Sequence, residues 1–208
     1  MAIDVQFIRV LTSFRSQSTW KVLPSTAICA PTAVAIGLDF SRGPSSDFLG
    51  LTLIHIFIAG ALLCMVIKIL SLLHLTAPRY LSTIVYAATA FTTFSDLDSL
   101  YGANEVAGTT SINLAIAGAV LFAIASLLSL FTLRFGIACG LVALGLSGHY
   151  FLREIIAIPW GSMPGILPKV LPYARWSDIF ASLIMMVTAV AYSLSRLWLL
   201  FRAPTDVY

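Results

Sequence analysis

The stretch FLGLTLIHIFIAGALLCMVI, residues 48–67, decides the fold class of this chain. It contains no Asp, Glu, Lys or Arg, and apart from Cys64 its only titratable side chain is His55. A helix rises about 1.5 Å per residue, so roughly 20 apolar residues cross the hydrocarbon core of a bilayer. The stretch therefore predicts a transmembrane helix.

The composition of the whole chain agrees with this prediction. Of the 208 residues, 59% are hydrophobic and only 10% are charged, whereas a soluble domain is usually about 25% charged. Most of the surface therefore does not face water, and the sequence predicts an all-α integral membrane protein whose first partner is the lipid bilayer. The net charge of +3 is too small to indicate a nucleic-acid partner.

Five further spans are predicted to join this one in a single bundle of about six transmembrane helices within a membrane domain, residues 22–202. Pro24 and Pro31 predict that the first span is kinked or short. The third has only 16 residues and several Thr, so it needs support from neighbouring helices. Arg134 alone separates the fourth from the fifth, which predicts a tight hairpin. In chain order the spans cover 22–40, 48–67, 80–95, 111–133, 135–152 and 179–201.

The segments outside the spans carry their own patterns. In residues 1–21, apolar side chains recur at helical spacing among basic ones, which predicts an amphipathic helix on the membrane surface. Residues 203–208 form a short tail. Residues 155–178, between the fifth and sixth spans, contain four prolines together with Trp160, Tyr173 and Trp176. Proline excludes a regular helix and Trp and Tyr favour lipid–water boundaries, so this is predicted to be a Pro-rich interfacial loop, or alternatively a re-entrant segment.

The Lys and Arg residues predict the orientation. With six spans and a cytoplasmic N-terminus, eight basic residues lie inside and four lie outside (Arg42, Arg153, Lys169 and Arg175). The positive-inside rule then places both termini in the cytoplasm, without indicating which membrane is spanned. Seven of the nine acids fall on the outer side of the same arrangement.

The predicted functional site lies at this outer boundary, where several span ends converge. Carboxylates and an imidazole at a partly dry rim can donate and accept protons. We predict that one group of residues is catalytic, and that a second group contacts the substrate or a proton path. The first is His149, Glu154, Asp98 and Asp178; the second is His55, Asp96, Trp160 and Trp176.

Two other interpretations of these residues remain open. Acidic residues at helix ends are readily solvated and need no function, and His55 is explained equally well by a hydrogen bond to a neighbouring helix. Several carboxylates could also hold a hard divalent cation, but Asp96 and Asp98 resemble a metal signature only superficially. No metal site is predicted, and no motif names a cofactor.

Small residues predict close helix packing. Gly136 and Gly140 form a GxxxG pattern that Gly145 and Gly148 follow, and the fourth span carries a stripe of alanines at 115, 119 and 123. These faces predict tight contact between the fourth and fifth spans, or a homo- or hetero-oligomer interface.

Three functions follow as hypotheses. The first is a small membrane-embedded enzyme that acts by acid–base chemistry on a lipophilic small molecule, for example by isomerisation, cyclisation or oxidation in lipid or secondary metabolism. The second is a transporter or channel subunit, with the outer acids as a cation-attracting vestibule. The third is a non-catalytic accessory subunit of a larger membrane complex. The grouping of acids and histidine favours the first.

Overall fold

Six helices make up the part of the chain that the computed structural model describes, which comprises residues 19–41, 48–101, 109–157 and 176–202. Side chains are described within 25–41, 51–95, 113–148 and 180–199. No strand occurs in these ranges, so the predicted all-helical fold is confirmed for them. The helices are α1 (Thr19–Phe40), α2 (Phe48–Leu72), α3 (Ala77–Tyr101), α4 (Thr109–Phe131), α5 (Leu133–Ala157) and α6 (Trp176–Arg202).

Three of these helices are long and apolar enough to cross a membrane. The qualifying segments are Leu51–Leu72 of α2, Asn113–Phe131 of α4 and Phe180–Leu199 of α6. Shorter apolar segments lie in α1 and α5, at Ser25–Phe40 and Leu133–Gly148. The structure thus supports three spans within the described residues, and the count of six stays a prediction.

Two helices extend further than the apolar patterns indicate. α3 has 25 residues, which gives a length of about 37 Å, whereas hydropathy marks only 80–95. Asp96 and Asp98 consequently lie in the last turns of a helix and not in a loop. α1 continues through both Pro24 and Pro31.

Consecutive helices run antiparallel. A side chain at Gly37 of α1 would collide with Ile56 of α2, and one at Gly118 of α4 would collide with Ser147 of α5. Near its N-terminus α3 meets the C-terminal part of α4, where the hydroxyl oxygens of Ser82 and Ser129 lie 2.9 Å apart. The helix ends therefore gather in two sets, one at each end of the bundle.

α3 lies at the centre of the bundle. Within residues 81–95, only Thr83, Ala87, Phe91 and Phe94 are not buried. Its Tyr86 is fully buried and stacks on Phe122 of α4, with ring centroids 6.1 Å apart. The same ring meets Tyr192 of α6 edge-on at 6.3 Å. Tyr86 thereby joins three helices in one aromatic core.

α2 lies at the periphery. From Leu51 to Leu72, only Thr52, Ala59 and Leu63 are buried. Ala59 and Leu63 pack with Ala33 of α1 and Ile84 of α3. Most of the remaining apolar side chains of α2 point away from the protein.

The predicted hairpin of the fourth and fifth spans is present as α4 and α5, separated by Thr132 alone. Its glycines differ in role, however. Gly136 packs against Ser129 of α4 as predicted, but Gly140 faces the Tyr86 ring of α3. Among the described residues, none lies within 4 Å of where a Cβ of Gly145 or Gly148 would be, so the packing of these two glycines against the fourth span stays a prediction.

The terminal and Pro-rich segments lie largely outside the described residues. Of the predicted amphipathic segment 1–21, only residues 19–21 are described, as the start of α1. Of the predicted loop 155–178, residues 155–157 end α5 and 176–178 begin α6. The tail 203–208 is likewise not among the described residues.

Candidate functional site

The two ends of the bundle differ in the charge they carry. We call the end formed by the C-termini of α1, α3 and α5 and the N-termini of α2, α4 and α6 the acidic end. Ring contact between Phe40 and Phe91, with centroids 5.8 Å apart, joins α1 and α3 there. The Ser182 hydroxyl of α6 donates to the Thr92 carbonyl of α3 at 2.9 Å, which brings the start of α6 to the same end.

Most of the predicted site residues belong to helices that meet at the acidic end. Their side chains are outside the described set, so their roles stay predictions. Trp160 is outside the described residues altogether. Apart from His55, the others lie in three helices. Asp96 and Asp98 are in the last turns of α3, His149 and Glu154 are in the C-terminal part of α5, and Trp176 and Asp178 are in the first turn of α6.

Asp39 is the one acidic residue whose side chain the structure describes, and it is 1% exposed. It follows Thr32 and Ala35 on one face of α1, at the i, i+3 and i+7 spacing of a helix, and both of these residues are fully buried. Ala35 packs with Ala88 of α3 and Ala181 of α6. The acid that the sequence placed at a solvated rim therefore faces the inside of the bundle, where a carboxyl group is costly to hold and is a functional candidate.

His55 of α2 lies beside the end of α1. Its Nδ1 is 3.3 Å from the Ser41 hydroxyl oxygen, and that hydroxyl donates its own hydrogen to the Gly37 carbonyl at 2.7 Å. Since a hydroxyl has only one hydrogen, Nδ1 must be the donor between the two. We assign the Nδ1–H tautomer to neutral His55 on this ground, which leaves a lone pair on Nε2 to accept a proton.

Asp39 and His55 both lie at the acidic end of the bundle, on different sides of α1. Ser41, which is 6% exposed, hydrogen-bonds His55 on the α2 side, whereas Asp39, two residues earlier, belongs to the face that packs against α3 and α6. The histidine is half-buried, and Thr52 one turn before it is buried. A carboxyl group and an imidazole with a free acceptor nitrogen are the groups that general acid–base catalysis requires.

Hydroxyl groups of α3 continue the polar region toward the centre of the bundle. Thr89, Thr92, Thr93 and Ser95 are all buried. The Thr89 hydroxyl donates to the Val85 carbonyl of its own helix at 2.7 Å. The Thr93 hydroxyl has no hydrogen-bond partner among the described residues. These side chains provide neutral polar surroundings, and among the described side chains at this end Asp39 and His55 are the titratable ones.

The sequence identified His55 but not its surroundings. Asp39 is one of the seven acids on the predicted outer side but is not among the predicted site residues, and neither is Ser41. The helical spacing of Thr32, Ala35 and Asp39 was the available signal, because small residues on one face of a membrane helix mark its packed side. The side chain of His149, the other predicted histidine, is not among those described.

The described residues contain no group of three or more His, Cys, Asp and Glu side chains that could hold a metal ion. The comparisons with known proteins add no assignment. Neither protein-family models, nor curated proteins, nor solved structures gave a match to the chain.

Proposed function

We propose that this chain is a multi-span membrane protein that performs acid–base chemistry on a lipophilic small molecule at the acidic end of its bundle. Asp39 is the acid and His55 the base of the reaction. His149, Glu154, Asp98 and Asp178 are further contributors, with Asp96, Trp160 and Trp176 along the approach of the substrate. The acidic end faces away from the cytoplasm in the orientation that the basic residues predict.

The distribution of exposed side chains supports a membrane location. Phe57, Leu53 and Leu72 of α2 are 79%, 66% and 68% exposed. Monomeric soluble proteins rarely expose an apolar surface of this extent. In a bilayer the same side chains face hydrocarbon, where they are favourable.

One observation carries the acid–base assignment, namely the hydrogen-bond chain from the Gly37 carbonyl through Ser41 to His55. It directs the hydrogen of the imidazole toward Ser41 and leaves Nε2 as the acceptor. The buried carboxyl of Asp39 at the same end of the bundle supplies a complementary group.

A second function, transport, is favoured by the column of hydroxyl-bearing side chains on α3. Ser82, Tyr86, Thr89 and Thr93 follow one face of that helix and are buried. Yet Ser82 and Tyr86 are joined to Ser129 and Ser193 across helices at 2.9 Å each, which is typical of packing contacts between membrane helices. A proton or cation flux across liposomes that contain the purified chain, abolished by Asp39→Asn, would favour transport over catalysis.

The experiment for the enzymatic function compares lipid extracts of cells that carry the native gene, a deletion, or one of three variants: Asp39→Asn, His55→Gln and His149→Ala. We expect the first two variants to accumulate the same lipophilic compound as the deletion, because each removes one proton-transfer group. His149→Ala tests whether the predicted residue on α5 contributes to the same reaction.

His74→Asn is the matched control. His74 is exposed in the turn between α2 and α3, at the opposite end of the bundle, and has φ of 56°, a backbone region that Asn adopts more readily than most residues. Its extract should equal that of the native gene. Native-like extracts from Asp39→Asn and His55→Gln, with normal amounts of each protein in the membrane fraction, would exclude the proposed catalysis.

A further inference from the structure

A groove lies between α1 and α6 at the end of the bundle opposite Asp39 and His55. Its volume is about 320 Å³, at the lower limit of the roughly 300–1,000 Å³ typical of small-molecule sites. Ala27 of α1 and Val187 and Ala191 of α6 contribute apolar surface, and Thr188, Ser195 and Arg196 contribute the polar groups. From Val187 to Arg196 the groove follows α6 for about 14 Å.

This end of the bundle is basic. All four Lys and Arg side chains that the structure describes lie on helix segments that meet here: Lys68 of α2, Arg79 of α3, Arg134 of α5 and Arg196 of α6. The one described carboxylate, Asp39, lies at the other end. We call this end the basic end. Of the four cations, only Arg196 lines the groove.

The Arg196 side chain is held in place by α3 and α6. Its guanidinium carbon lies 5.3 Å from the centroid of the Tyr192 ring, a cation–π distance. The Tyr192 hydroxyl in turn donates to the Pro78 carbonyl of α3 at 2.6 Å. Within the described part of the chain Arg196 forms no ion pair, and its buried Nε has no hydrogen-bond partner.

The other polar side chains of the groove already have hydrogen-bond acceptors. The Thr188 hydroxyl donates to the Ile184 carbonyl and the Ser195 hydroxyl donates to the Tyr192 carbonyl, both at 2.7 Å. The guanidinium is therefore the group whose charge the groove leaves to be matched by a ligand. A charge of this kind in apolar surroundings is stabilised by an anion that brings its own hydrogen-bond acceptors.

The α1 wall of the groove is apolar, since Ala27 and Ile28 line it. A ligand with an apolar chain and a negative charge therefore has a matching partner for each of these parts.

We propose that the groove is a binding site for an anionic phospholipid, with one acyl chain along Val187 and Ala191 and the phosphate at Arg196. A guanidinium matches a phosphate through paired hydrogen bonds. A basic pocket between membrane helices on the cytoplasmic side is a known setting for anionic lipid head groups, and the sequence predicts that the basic end is cytoplasmic. This site is separate from the proposed catalytic groups and does not depend on their function.

Native mass spectrometry of the full-length protein in detergent tests the proposal. The probes are dioleoyl phosphatidylglycerol, dioleoyl phosphatidylcholine and oleate, which share the acyl chain and differ in the head group. We expect the native chain to retain phosphatidylglycerol at least about tenfold more tightly than phosphatidylcholine, as a charge-assisted hydrogen bond implies. Arg196→Gln should abolish this preference, and Arg196→Lys should keep part of it.

Two further variants locate the lipid. Ala191→Phe fills the groove and should weaken the binding of phosphatidylglycerol about tenfold or more. Lys68→Gln removes an exposed cation from the same end of the bundle and should leave the preference unchanged. Equal retention of the two phospholipids by the native chain would overturn the proposal, as would an equal loss in Lys68→Gln and Arg196→Gln, or no loss in Ala191→Phe. Oleate retained as tightly as phosphatidylglycerol would overturn the assignment to a phospholipid. Matched helical circular dichroism of all variants ensures that a loss of binding reports the site.

Discussion

α2 and α3 are consecutive helices of 25 residues each, yet their side chains are distributed in opposite ways. α2 is the more apolar, and it leaves Leu53, Phe57 and Leu62 more than half exposed. α3 contains Ser82, Thr89, Thr92 and Thr93 with no exposed surface at all. A protein folded in water would place these two helices the other way round.

The difference indicates what stabilises this bundle. In lipid no hydrophobic driving force brings helices together, so close packing and hydrogen bonds between helices take its place. α3 and α4 illustrate this. The Ser126 hydroxyl donates to the Thr83 carbonyl at 3.0 Å, and the Thr83 hydroxyl lies 3.2 Å from the Ser126 carbonyl and 3.0 Å from the Arg79 carbonyl of its own helix. The polar content of α3 thus fits a central position.

The prediction with the largest expected effect compares the loss of one aromatic side chain from α3 with the loss of one from α2. Tyr86→Ala empties the core between α3, α4 and α6, and should lower the free energy of unfolding by about 3–5 kcal/mol, the usual range for a buried aromatic. Phe57→Ala removes a ring that is 79% exposed and should change it by less than about 1 kcal/mol. Reversible unfolding by SDS in mixed micelles measures both.

Tyr86→Phe is the control for the first substitution. It removes only the hydroxyl, which lies 2.9 Å from the Ser193 hydroxyl, and should cost about 1 kcal/mol. If Tyr86→Ala and Phe57→Ala lowered the free energy of unfolding by similar amounts, α3 would not be the centre of the packing.

The next prediction concerns whether the exposed face of α2 contacts lipid. Leu62, which is 56% exposed, lies near the middle of the segment Leu51–Leu72. Leu62→Asp should make insertion of α2 less favourable by about 3 kcal/mol, the cost of an acid at the centre of a membrane helix. Glycosylation acceptors on either side of α2 in the full-length chain report whether the helix crosses microsomal membranes. Leu62→Ala is the control, and normal insertion of Leu62→Asp would contradict a lipid-facing α2.

The same contrast explains how much of the fold could be predicted. α2 begins at Phe48, where hydropathy placed it, because most of its side chains point away from the other helices and are apolar, a pattern that the sequence shows directly. α3 extends from Ala77 to Tyr101 where only 80–95 was marked, because a helix surrounded by other helices need not be apolar. Which helix is central depends on contacts such as Ser82 with Ser129, 47 residues apart, and no local pattern contains these.

The candidate site was likewise predictable only where a local sequence pattern reports it. His55 was identifiable as an imidazole inside an apolar span, and a hydrogen bond to a neighbouring helix was among the interpretations of it. Its partner Ser41 and the burial of Asp39 depend on how α1 rotates against α2, α3 and α6, which Ala35, Ala88 and Ala181 determine. A single sequence identifies a polar group in a span more readily than the helix face that group occupies.

The smallest expected effect tests whether hydrogen bonds between helices stabilise α3. Ser129 donates its hydrogen to the Ala125 carbonyl at 2.7 Å, so Ser82 must be the donor in the contact of 2.9 Å between the two hydroxyls. Ser129→Ala leaves the Ser82 hydrogen without its acceptor and should cost more than Ser82→Ala. The double-mutant cycle should give a coupling of about 0.6 kcal/mol, the average for side-chain hydrogen bonds within a membrane.

Ser71→Ala on α2 completes this comparison. The Ser71 hydroxyl donates to the Lys68 carbonyl of its own helix at 2.8 Å and is exposed, so its loss should leave the free energy of unfolding unchanged within about 0.5 kcal/mol. A coupling near zero for Ser82 and Ser129, with both single variants as mild as Ser71→Ala, would show that α3 is held by packing alone. A coupling near 0.6 kcal/mol would instead mean that hydroxyl groups stabilise the central helix, although a hydropathy scale counts them as unfavourable in a membrane span.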